Sequence, residues 1–583
     1  MNKRELYSKA ILRASIKKRI MSLVSILFLS LIITVLSAVN PIIYQRAADE
    51  FIPGKNLRAL IICICVTVAV PIIAALITLL KNKLNYWFGK KCIYDVTDEV
   101  FKKTLRSNYA RYSQYDSVTL SNILTRSAEA IPSLYLNSII NTFASIAQFA
   151  VVFIMLLRYN AFLTFIVLAF LPISYLIIKT QKKRMREASH AGLVEQRNFQ
   201  KTIVQIFNGM KTIRSYNAYD NAEKAFETGL ERFNNSEWIF RKNECLAGDV
   251  LPTAASQIVI GVAFAVGAIF VVKDKMSVGA LIAIIAYLPS LVSSLNGIMK
   301  AKLSIGSIEN TLKDFDDILS VDNEPLTNIL PDKNAENIFT FENVDFSYGR
   351  ENFNLHIDDL KVKKGEFVAV VGASGGGKSA LTDILNKFFT IMSGSVRTFN
   401  RDINEIDTDS LRKMYSVVSQ DVFLFNDTIE KNISFPETPD PERISDVIKK
   451  AQLTDFIKSL PEHEKTIIND LGANISGGEA QRISLARALY RNAPVMLLDE
   501  PTSALDSETS KKIFEMILSE NKENGRTIVM ITHDIRKTLS ADKVAVISDG
   551  AISEYDSPDS LLQKGGDYKS LFEAQSYAAE KQK

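Results

Sequence analysis

The amino-terminal half of the chain contains six long apolar stretches that carry no charged residue. At 1.5 Å per residue, roughly 18–25 residues of helix cross a hydrocarbon core of about 30 Å. A charge at the middle of such a helix costs roughly 2.5–3.5 kcal/mol on insertion. Buried helices of soluble proteins rarely stay apolar on every side over this length. We therefore predict six membrane helices, at residues 21–39, 59–80, 133–157, 161–178, 250–272 and 276–299.

The distribution of lysine and arginine predicts the orientation of these helices. Basic residues are concentrated before the first span and after the second and fourth, and they are few in the other loops. Because positively charged loops stay on the cytoplasmic side, both termini are predicted to be cytoplasmic. Segments 81–132 and 179–249 would then be cytoplasmic helical extensions. We expect a multi-pass protein of a bacterial cytoplasmic membrane.

A glycine-rich segment, GASGGGKS, follows the apolar run 367–371 and precedes a helix-like segment that starts near Ala380. In such a loop, backbone N–H groups fold around phosphate oxygens, a lysine reaches the β- and γ-phosphates, and a serine hydroxyl can hold Mg²⁺. A plain glycine-rich turn is the alternative, but the complete pattern between strand and helix argues against it. The predicted nucleotide-binding residues are Gly372, Ala373, Ser374, Gly375, Gly376, Gly377, Lys378, Ser379 and Ala380.

Two further apolar segments end in residues suited to ATP hydrolysis. VMLLDE predicts a buried parallel strand that ends at Asp499 and Glu500, and TIVMIT predicts another before His533. Ligand-contacting residues lie at the carboxyl ends of such strands. Asp499 would hold Mg²⁺, Glu500 would polarise the attacking water, and His533 would contact the γ-phosphate. An acidic pair alone is often a helix cap and a lone histidine is often structural, but their spacing relative to Lys378 favours catalysis.

The segment ISGGE precedes an amphipathic helix between the glycine loop and the acidic pair. Ser-Gly-Gly at a helix start exposes N–H groups and the positive end of the helix dipole, which predicts a second anion site. One phosphate-binding loop needs no second phosphate cradle in the same chain. We therefore expect this segment to contact the ATP of another subunit. Its residues are Ile475, Ser476, Gly477, Gly478 and Glu479.

Together these motifs closely resemble those of the ATP-binding-cassette (ABC) superfamily. GASGGGKS is similar to its Walker A motif, VMLLDE to Walker B with the catalytic glutamate, and ISGGE to the signature usually written LSGGQ. The resemblance implies that Tyr348 stacks on adenine and that His533 is the switch histidine. It also implies that Gln420 is the Q-loop glutamine, which contacts Mg²⁺ and takes part in catalysis with Glu500 and His533. The implied Mg²⁺ ligands are Ser379, Gln420 and Asp499, and the implied D-loop is Ser503, Ala504, Leu505 and Asp506.

The chain departs from the family's usual motifs at four positions. Ile475 replaces leucine and Glu479 replaces glutamine in the signature, Gly376 stands where serine is common, and Ala380 stands where threonine is usual. None of these changes removes a catalytic group, so we expect this chain's own Walker residues to be functional. The two signature changes concern how well the chain completes a partner's site.

The six spans and their long cytoplasmic extensions resemble the exporter-type transmembrane domain of the same superfamily. The resemblance implies an α-helical polytopic membrane domain followed by an α/β P-loop NTPase domain with an α-helical subdomain. We place the membrane domain at 1–318, a linker at 319–337 and the nucleotide-binding domain at 338–583. Short coupling helices are expected near 112–118 and 216–222.

Composition agrees with this division. A mean hydropathy of +0.07 over 583 residues is the average of an apolar part and a polar part. A net charge of +4 does not indicate nucleic-acid binding. Cys63 and Cys65 lie in a predicted span, and Cys92 and Cys245 are predicted to face the cytosol, so neither a disulfide nor a metal site is expected.

The predicted function is ATP-driven export of an amphipathic drug, lipid or peptide by alternating access. Two alternatives are an exporter-fold importer of siderophore-like cargo and an ATP-gated channel or regulatory subunit; the intact Glu500 and His533 argue against the second. Homodimer and heterodimer fit the motifs equally well. Polar residues in the spans are candidates either for a substrate cavity or for hydrogen bonds between helices. They are Asn137, Asn141, Gln148, Tyr175, Gln257 and Asn296.

Overall fold

The computed structural model describes residues 7–169, 171–246, 250–324, 327–349, 354–373, 375–468 and 475–580. The chain divides into two compact units. The first, here called the helical unit, comprises Met1–Ser107 and Arg111–Asn323; the second, the sheet unit, comprises Asn108–Ala110 and Glu324–Lys583. The main division therefore falls inside the segment 319–337 that the sequence proposes as a linker.

Long helices make up the first part of the chain. They are α1 (Tyr7–Lys18), α2 (Ile20–Ser37), α3 (Val39–Arg46), α4 (Leu57–Leu105), α5 (Tyr109–Tyr112), α6 (Ser117–Asn122), α7 (Ala128–Tyr159), α8 (Ala161–Ala169), α9 (Leu171–Asn208), α10 (Met210–Ser215), α11 (Tyr219–Cys245), α12 (Leu251–Val272) and α13 (Val278–Leu319). Two short π-helical segments, Ala47–Phe51 and Ile123–Ser127, continue α3 and α6.

Four helices within the described residues are long and apolar enough to cross a membrane. They are Ile20–Phe51, Leu57–Leu105, Asn137–Tyr159 and Val278–Ile298, and Ser256–Val272 is a shorter apolar helix. These helices overlap five of the six predicted spans. The remaining predicted span, 161–178, includes residue 170, which lies outside the described residues. The count of six spans stays a prediction.

Helix α4 changes its surroundings along its length. Its first half exposes large apolar side chains such as Ile61, Leu76 and Leu79, which are 52%, 61% and 66% exposed. Its second half buries a stripe of residues four apart against neighbouring helices: Phe88, Cys92, Val96 and Val100. An apolar surface of this extent is stable against lipid rather than water, whereas the buried stripe is typical of packing within a protein.

Polar side chains join helices of this unit to one another. Asp49 accepts hydrogen bonds from the Gly279 N–H and the Ser277 hydroxyl, at 2.8 and 2.7 Å, at the start of α13. Asn85 donates to Asn137 at 3.2 Å. This bond favours the interpretation of Asn137 as a contact between helices. The side chain of Tyr175 lies outside the described residues.

The sheet unit contains ten strands in its described part, and they form one mixed sheet in the order β5-β4-β1-β2-β10-β9-β3-β8-β7-β6. From β9 to β6 neighbouring strands are parallel, whereas β5, β4, β1 and β2 are antiparallel. The strands are β1 (Asn337–Phe346), β2 (Leu355–Lys363), β3 (Phe367–Gly372), β4 (Ser393–Thr398), β5 (Arg401–Asp402), β6 (Tyr415–Val418), β7 (Val495–Asp499), β8 (Thr527–Ile531), β9 (Lys543–Ser548) and β10 (Ala551–Asp556).

Helices cover both faces of this sheet. They are α14 (Lys378–Leu385), α15 (Thr408–Lys413), α16 (Ile429–Ser434), α17 (Pro441–Lys450), α18 (Thr454–Ser459), α19 (Gly477–Arg491), α20 (Ser507–Lys522), α21 (Pro558–Lys564) and α22 (Asp567–Glu580), with 3₁₀ turns at His463–Lys465 and Ile535–Ser540. The helices α16 to α19, which lie between β6 and β7, correspond to the expected α-helical subdomain.

The central strands are buried on both faces, since helices cover the sheet on both sides. Because successive side chains of a strand point to opposite faces, each strand contributes to two apolar cores. In β7, Met496 and Leu498 belong to one apolar core, and Val495 and Leu497 belong to the other. The backbone at the carboxyl ends of β3, β7 and β8 is thereby held at one edge of the sheet. The predicted catalytic side chains emerge there.

Candidate active site

The glycine loop connects β3 to α14 through backbone conformations that favour glycine. Gly372, Gly375 and Gly377 have φ values of 152°, 81° and 104°. A Cβ atom on Gly372 would lie 2.1 Å from the carbonyl oxygen of Ile547. Glycine takes such conformations without steric cost. The loop leads into the first turn of α14, whose N–H groups have no acceptor four residues earlier in the helix. Ser374 lies outside the described residues.

Lys378 is folded back onto this loop. Its Nζ donates to the carbonyl oxygens of Gly372 and Ala373 at 3.0 and 2.8 Å, and the residue is 6% exposed. Burial lowers the pKa of Lys378, while the negative charges of Glu500 and Asp499 act in the opposite direction. The loop therefore holds a buried lysine whose Nζ is bonded to two backbone carbonyls and lies close enough to Asp499 and Glu500 to interact with their charges.

Ser379 and Asp499 form a hydroxyl–carboxylate pair beneath the loop. The Ser379 Oγ donates to Asp499 Oδ2 at 2.7 Å, and Asp499 is 6% exposed. Burial raises the pKa of Asp499, and the hydrogen bond from Ser379 opposes this shift. Hydroxyl and carboxylate oxygens are ligands that Mg²⁺ prefers, and a buried carboxylate gains from a nearby cation. The pair therefore fits a magnesium ion.

Glu500 and His533 meet at the same edge of the sheet. His533 Nε2 lies 3.0 Å from Glu500 Oε1. The backbone of Glu500 has a φ of 51°, in the left-handed region, and its N–H donates to the carbonyl oxygen of Ile531 at 3.0 Å. Non-glycine residues in this region carry strain and are common at functional sites. The contact places a carboxylate and an imidazole side by side immediately after Asp499.

Gln481, a residue of α19, holds Glu500 and the D-loop together. Its Nε2 donates to the Glu500 carbonyl at 2.6 Å and to the Ser503 hydroxyl at 3.2 Å, and its Oε1 accepts from the Ala504 N–H at 3.0 Å. The sequence interpretation missed this residue. A signal was present, because Gln481 shares the buried face of an amphipathic helix with three residues three to seven positions further on: Ser484, Leu485 and Ala488.

The signature segment begins α19 with a capping box. Ser476 is the N-cap, and its hydroxyl accepts from the Glu479 N–H at 3.3 Å. Glu479 Oε2 in turn accepts from the Ser476 N–H and from the Ser476 hydroxyl, both at 2.7 Å. A Cβ atom on Gly478 would lie 2.9 Å from the Ala504 carbonyl oxygen, so glycine permits close packing against the D-loop. Ile475 packs on the core.

The D-loop is ordered by short-range hydrogen bonds. The Ser503 hydroxyl donates to the Glu500 carbonyl at 3.1 Å. Asp506 is the N-cap of α20 and accepts from the backbone N–H groups of Glu508 and Thr509, at 3.1 and 2.9 Å. Leu505 packs partly buried against the core. The loop therefore connects the end of β7 to α20 as a fixed turn.

Tyr348 lies near α14 in an aromatic cluster. Its hydroxyl donates to Asp383 Oδ2 at 2.6 Å, and its ring contacts Phe346 and Phe389 edge to face, with centroids 4.8 and 4.9 Å away. Burial raises the pKa of Asp383, which the hydrogen bond from Tyr348 opposes. Asp383 was not predicted to belong to the site.

The structure brings most predicted site residues to one edge of the sheet. Gln420 is exposed beyond the end of β6, and the side-chain hydrogen bonds among the described residues do not join it to the Ser379–Asp499 pair. Ala380 is buried in the core beneath the loop. A Cβ atom on Gly376 would lie 3.2 Å from the Ala373 carbonyl oxygen.

Family models match both parts of the chain. Residues 23–295 match the ABC transporter transmembrane region, residues 355–503 match the ABC transporter model, and residues 442–566 match a P-loop domain model. Together these matches cover most of the sequence.

Relatives align along nearly the whole chain. A putative multidrug export ATP-binding/permease protein, YgaD of Bacillus subtilis (strain 168), is 26% identical over 554 residues, which cover 92% of this chain and 93% of the relative. An ATP-dependent lipid A-core flippase of Albidiferax ferrireducens is 28% identical over 546 residues, which cover 91% and 92%.

A solved structure shares the fold. A bacterial Atm1-family ABC exporter with ATP bound matches with a TM-score of 0.85 at 22% identity, over 96% of this chain and 99% of that one. The match confirms the predicted fold class, a helical membrane domain followed by a P-loop domain of mixed sheet.

Proposed function

The chain belongs to the ABC transporter family, and we propose that it acts as half of a dimeric exporter in a bacterial cytoplasmic membrane. ATP hydrolysis in the sheet unit would drive movement of an amphipathic drug, lipid or peptide out of the cytoplasm. The observation that carries this proposal is the group formed by Lys378, Ser379, Asp499, Glu500 and His533 on a chain that also has long apolar helices.

We propose that the glycine loop and Lys378 bind the phosphates of ATP. The N–H groups at the start of α14 and the Lys378 ammonium would donate to phosphate oxygens. Ser379 and Asp499, with Gln420, would hold Mg²⁺, which neutralises phosphate charge and orients the leaving group. Tyr348 would stack on adenine, and its hydrogen bond to Asp383 would hold the ring in place.

Hydrolysis would proceed by attack of water on the γ-phosphorus. As the new oxygen–phosphorus bond forms and the bond to the ADP oxygen breaks, the Glu500 carboxylate would polarise the water and accept its proton. His533, 3.0 Å from Glu500, would hold the carboxylate and the γ-phosphate in attack geometry. The αL backbone of Glu500, tied to Ile531 and Gln481, keeps the carboxylate at this position.

The signature would complete the ATP site of a partner chain. Ser476 is the N-cap of α19, and the backbone N–H groups of Gly477 and Gly478 in its first turn would donate to a γ-phosphate oxygen. ATP would contact both chains only in the closed dimer, so binding would favour closure and hydrolysis would release it. Either an identical chain or a second half-transporter would serve as the partner.

The test is transport in reconstituted vesicles in which the sheet unit faces the outside. ATP is expected to drive a fluorescent amphipathic probe into the vesicles. Glu500→Gln is expected to retain ATP binding and to lower phosphate release roughly 10²–10⁴-fold. Probe movement out of loaded vesicles would identify an importer, and an ATP-dependent conductance without accumulation would identify a channel. Full hydrolysis by the Glu500→Gln protein would contradict the role of Glu500.

A further inference from the structure

We infer that Gln575, on the last helix of the chain, is a positioning residue for His533. The inference rests on the proposed function, since it assigns to α22 a part in ATP hydrolysis. Its basis is a pair of hydrogen bonds, one donated and one accepted by the Gln575 amide, with the backbone of the residues on either side of Asp534.

The Gln575 amide uses both of its functional groups on this loop. Its Nε2 donates to the carbonyl oxygen of His533 at 2.6 Å, and its Oε1 accepts from the Ile535 N–H at 3.1 Å. β8 ends before His533, and Ile535 is the first residue of a 3₁₀ turn, so neither backbone group has a partner from regular secondary structure. One planar amide therefore fixes two backbone groups that lie two residues apart.

His533 needs such a support because packing does not fix its ring. The side chain is 46% exposed, whereas that of Glu500 is 14% exposed. The direction of an exposed ring depends on the backbone that carries it. A displacement of about 1 Å at a catalytic group can cost roughly 10²-fold in rate, so a loop held at two points protects the 3.0 Å contact with Glu500.

Helix α22 is anchored well enough to provide this support. Tyr568 is fully buried, and its hydroxyl hydrogen-bonds at 2.7 Å with the hydroxyl of Thr538, which belongs to the same 3₁₀ turn. The Tyr568 N–H donates to Glu554 at 2.8 Å. Leu571 and Phe572 pack against the core. Their spacing from Tyr568 places all three on one helix face, and Gln575 continues that face by one turn.

The arrangement separates two properties of the enzyme. Both of these hydrogen bonds join Gln575 to the backbone after β8. Other residues hold the phosphate-binding loop and the Ser379–Asp499 pair. Loss of the amide should therefore lower turnover and leave ATP binding nearly unchanged.

The test compares Gln575→Ala and Gln575→Glu with Gln563→Ala in the full-length protein. Gln563 is an exposed glutamine on α21 and serves as the matched control. We expect Gln575→Ala to lower kcat roughly 10-fold with KM for ATP within about twofold. Gln575→Glu keeps the acceptor for Ile535 but places a carboxylate oxygen against the His533 carbonyl oxygen, so its kcat should be no higher than that of Gln575→Ala. Gln563→Ala should match the unmodified protein.

A double-mutant cycle with His533→Ala distinguishes positioning from a general effect on folding. If Gln575 acts through the His533 ring, Gln575→Ala should have little further effect on kcat in the His533→Ala protein. An equal loss of kcat in both backgrounds, or no loss in the native background, would overturn the inference alone. Unchanged turnover in the His533→Ala protein would overturn both this inference and the catalytic role proposed for His533.

Discussion

Two serine–carboxylate pairs in the sheet unit have the same hydrogen bond in opposite settings. At the glycine loop, the Ser379 hydroxyl donates to Asp499 at 2.7 Å; at the signature, the Ser476 hydroxyl donates to Glu479, also at 2.7 Å. Asp499 is buried and comes from a distant strand, whereas Glu479 is partly exposed and belongs to the same helix turn. The first pair needs the folded sheet, and the second needs only the start of one helix.

The difference indicates that the two pairs have different functions, one as a cation site and the other as a helix cap. A buried carboxylate beside a hydroxyl favours a bound cation, which is what the proposed magnesium ion would supply. A carboxylate at a helix N-terminus stabilises the helix but occupies a position that otherwise attracts anions. In the proposed dimer, the loop would bind phosphate with residues of its own chain, whereas the signature would act on the ATP of a second chain and would carry the negative charge of Glu479 toward it.

At the glycine loop, Lys378→Ala should have the largest effect on ATP binding. Removing a buried ammonium that would donate to phosphate is expected to weaken ATP binding roughly 10- to 100-fold, as measured by equilibrium binding of a fluorescent ATP analogue. Lys387→Ala is a matched control, because Lys387 also has a pKa lowered by burial and donates to a backbone carbonyl, that of Ile406, at 2.8 Å. Equal affinities for the two variants would show that Lys378 does not bind phosphate.

Gln481→Leu tests the connection between the signature and the glycine-loop site. Gln481 belongs to the signature helix α19, and it contacts Glu500 directly after β7. The leucine would leave the Ala504 N–H without the Gln481 acceptor and would remove the 2.6 Å bond to the Glu500 carbonyl, which would keep only its bonds from Ser503. The αL backbone at Glu500 would then relax. We expect a roughly 10-fold loss of turnover with ATP binding retained. Gln563→Leu controls for the loss of an amide elsewhere. Turnover within twofold of the unmodified protein would show that Gln481 does not position Glu500.

Local patterns predicted the parts of the fold and site that local sequence determines. The glycine loop lies between a strand and a helix as expected, and Asp499 and Glu500 follow a strand buried on both faces. The contacts of Gln481 and Gln575 could not be predicted, since each joins segments that are 19 to 42 residues apart and that only the folded sheet brings together. A helical extension after the second span was predicted, and α4 continues from its apolar segment through a charged one as a single helix as far as Leu105.

Glu479→Gln should have the smallest effect on ATP hydrolysis, and the direction in which KM for ATP changes is the informative result. Glutamine can keep both hydrogen bonds from Ser476, so the substitution removes the charge and leaves the cap in place. The lost interaction with the helix dipole is worth about 0.3–1 kcal/mol, which would slightly lower the temperature of unfolding. At the proposed partner site, removing a negative charge near the γ-phosphate would relieve repulsion of about 0.5–1.5 kcal/mol.

We therefore expect Glu479→Gln to lower KM for ATP roughly 2- to 10-fold without lowering kcat. High salt should reduce the difference, since ions screen a partly exposed charge. Glu442→Gln is the matched control, because Glu442 is an acidic residue in the first turn of α17, as Glu479 is in α19. An unchanged or higher KM for Glu479→Gln would mean that Glu479 turns away from the phosphate when the chains close. The bonds between Ser476 and Glu479 would then exist only while the two chains are apart. Closure of the dimer would break them, and Ser476 would become able to bind the partner's ATP.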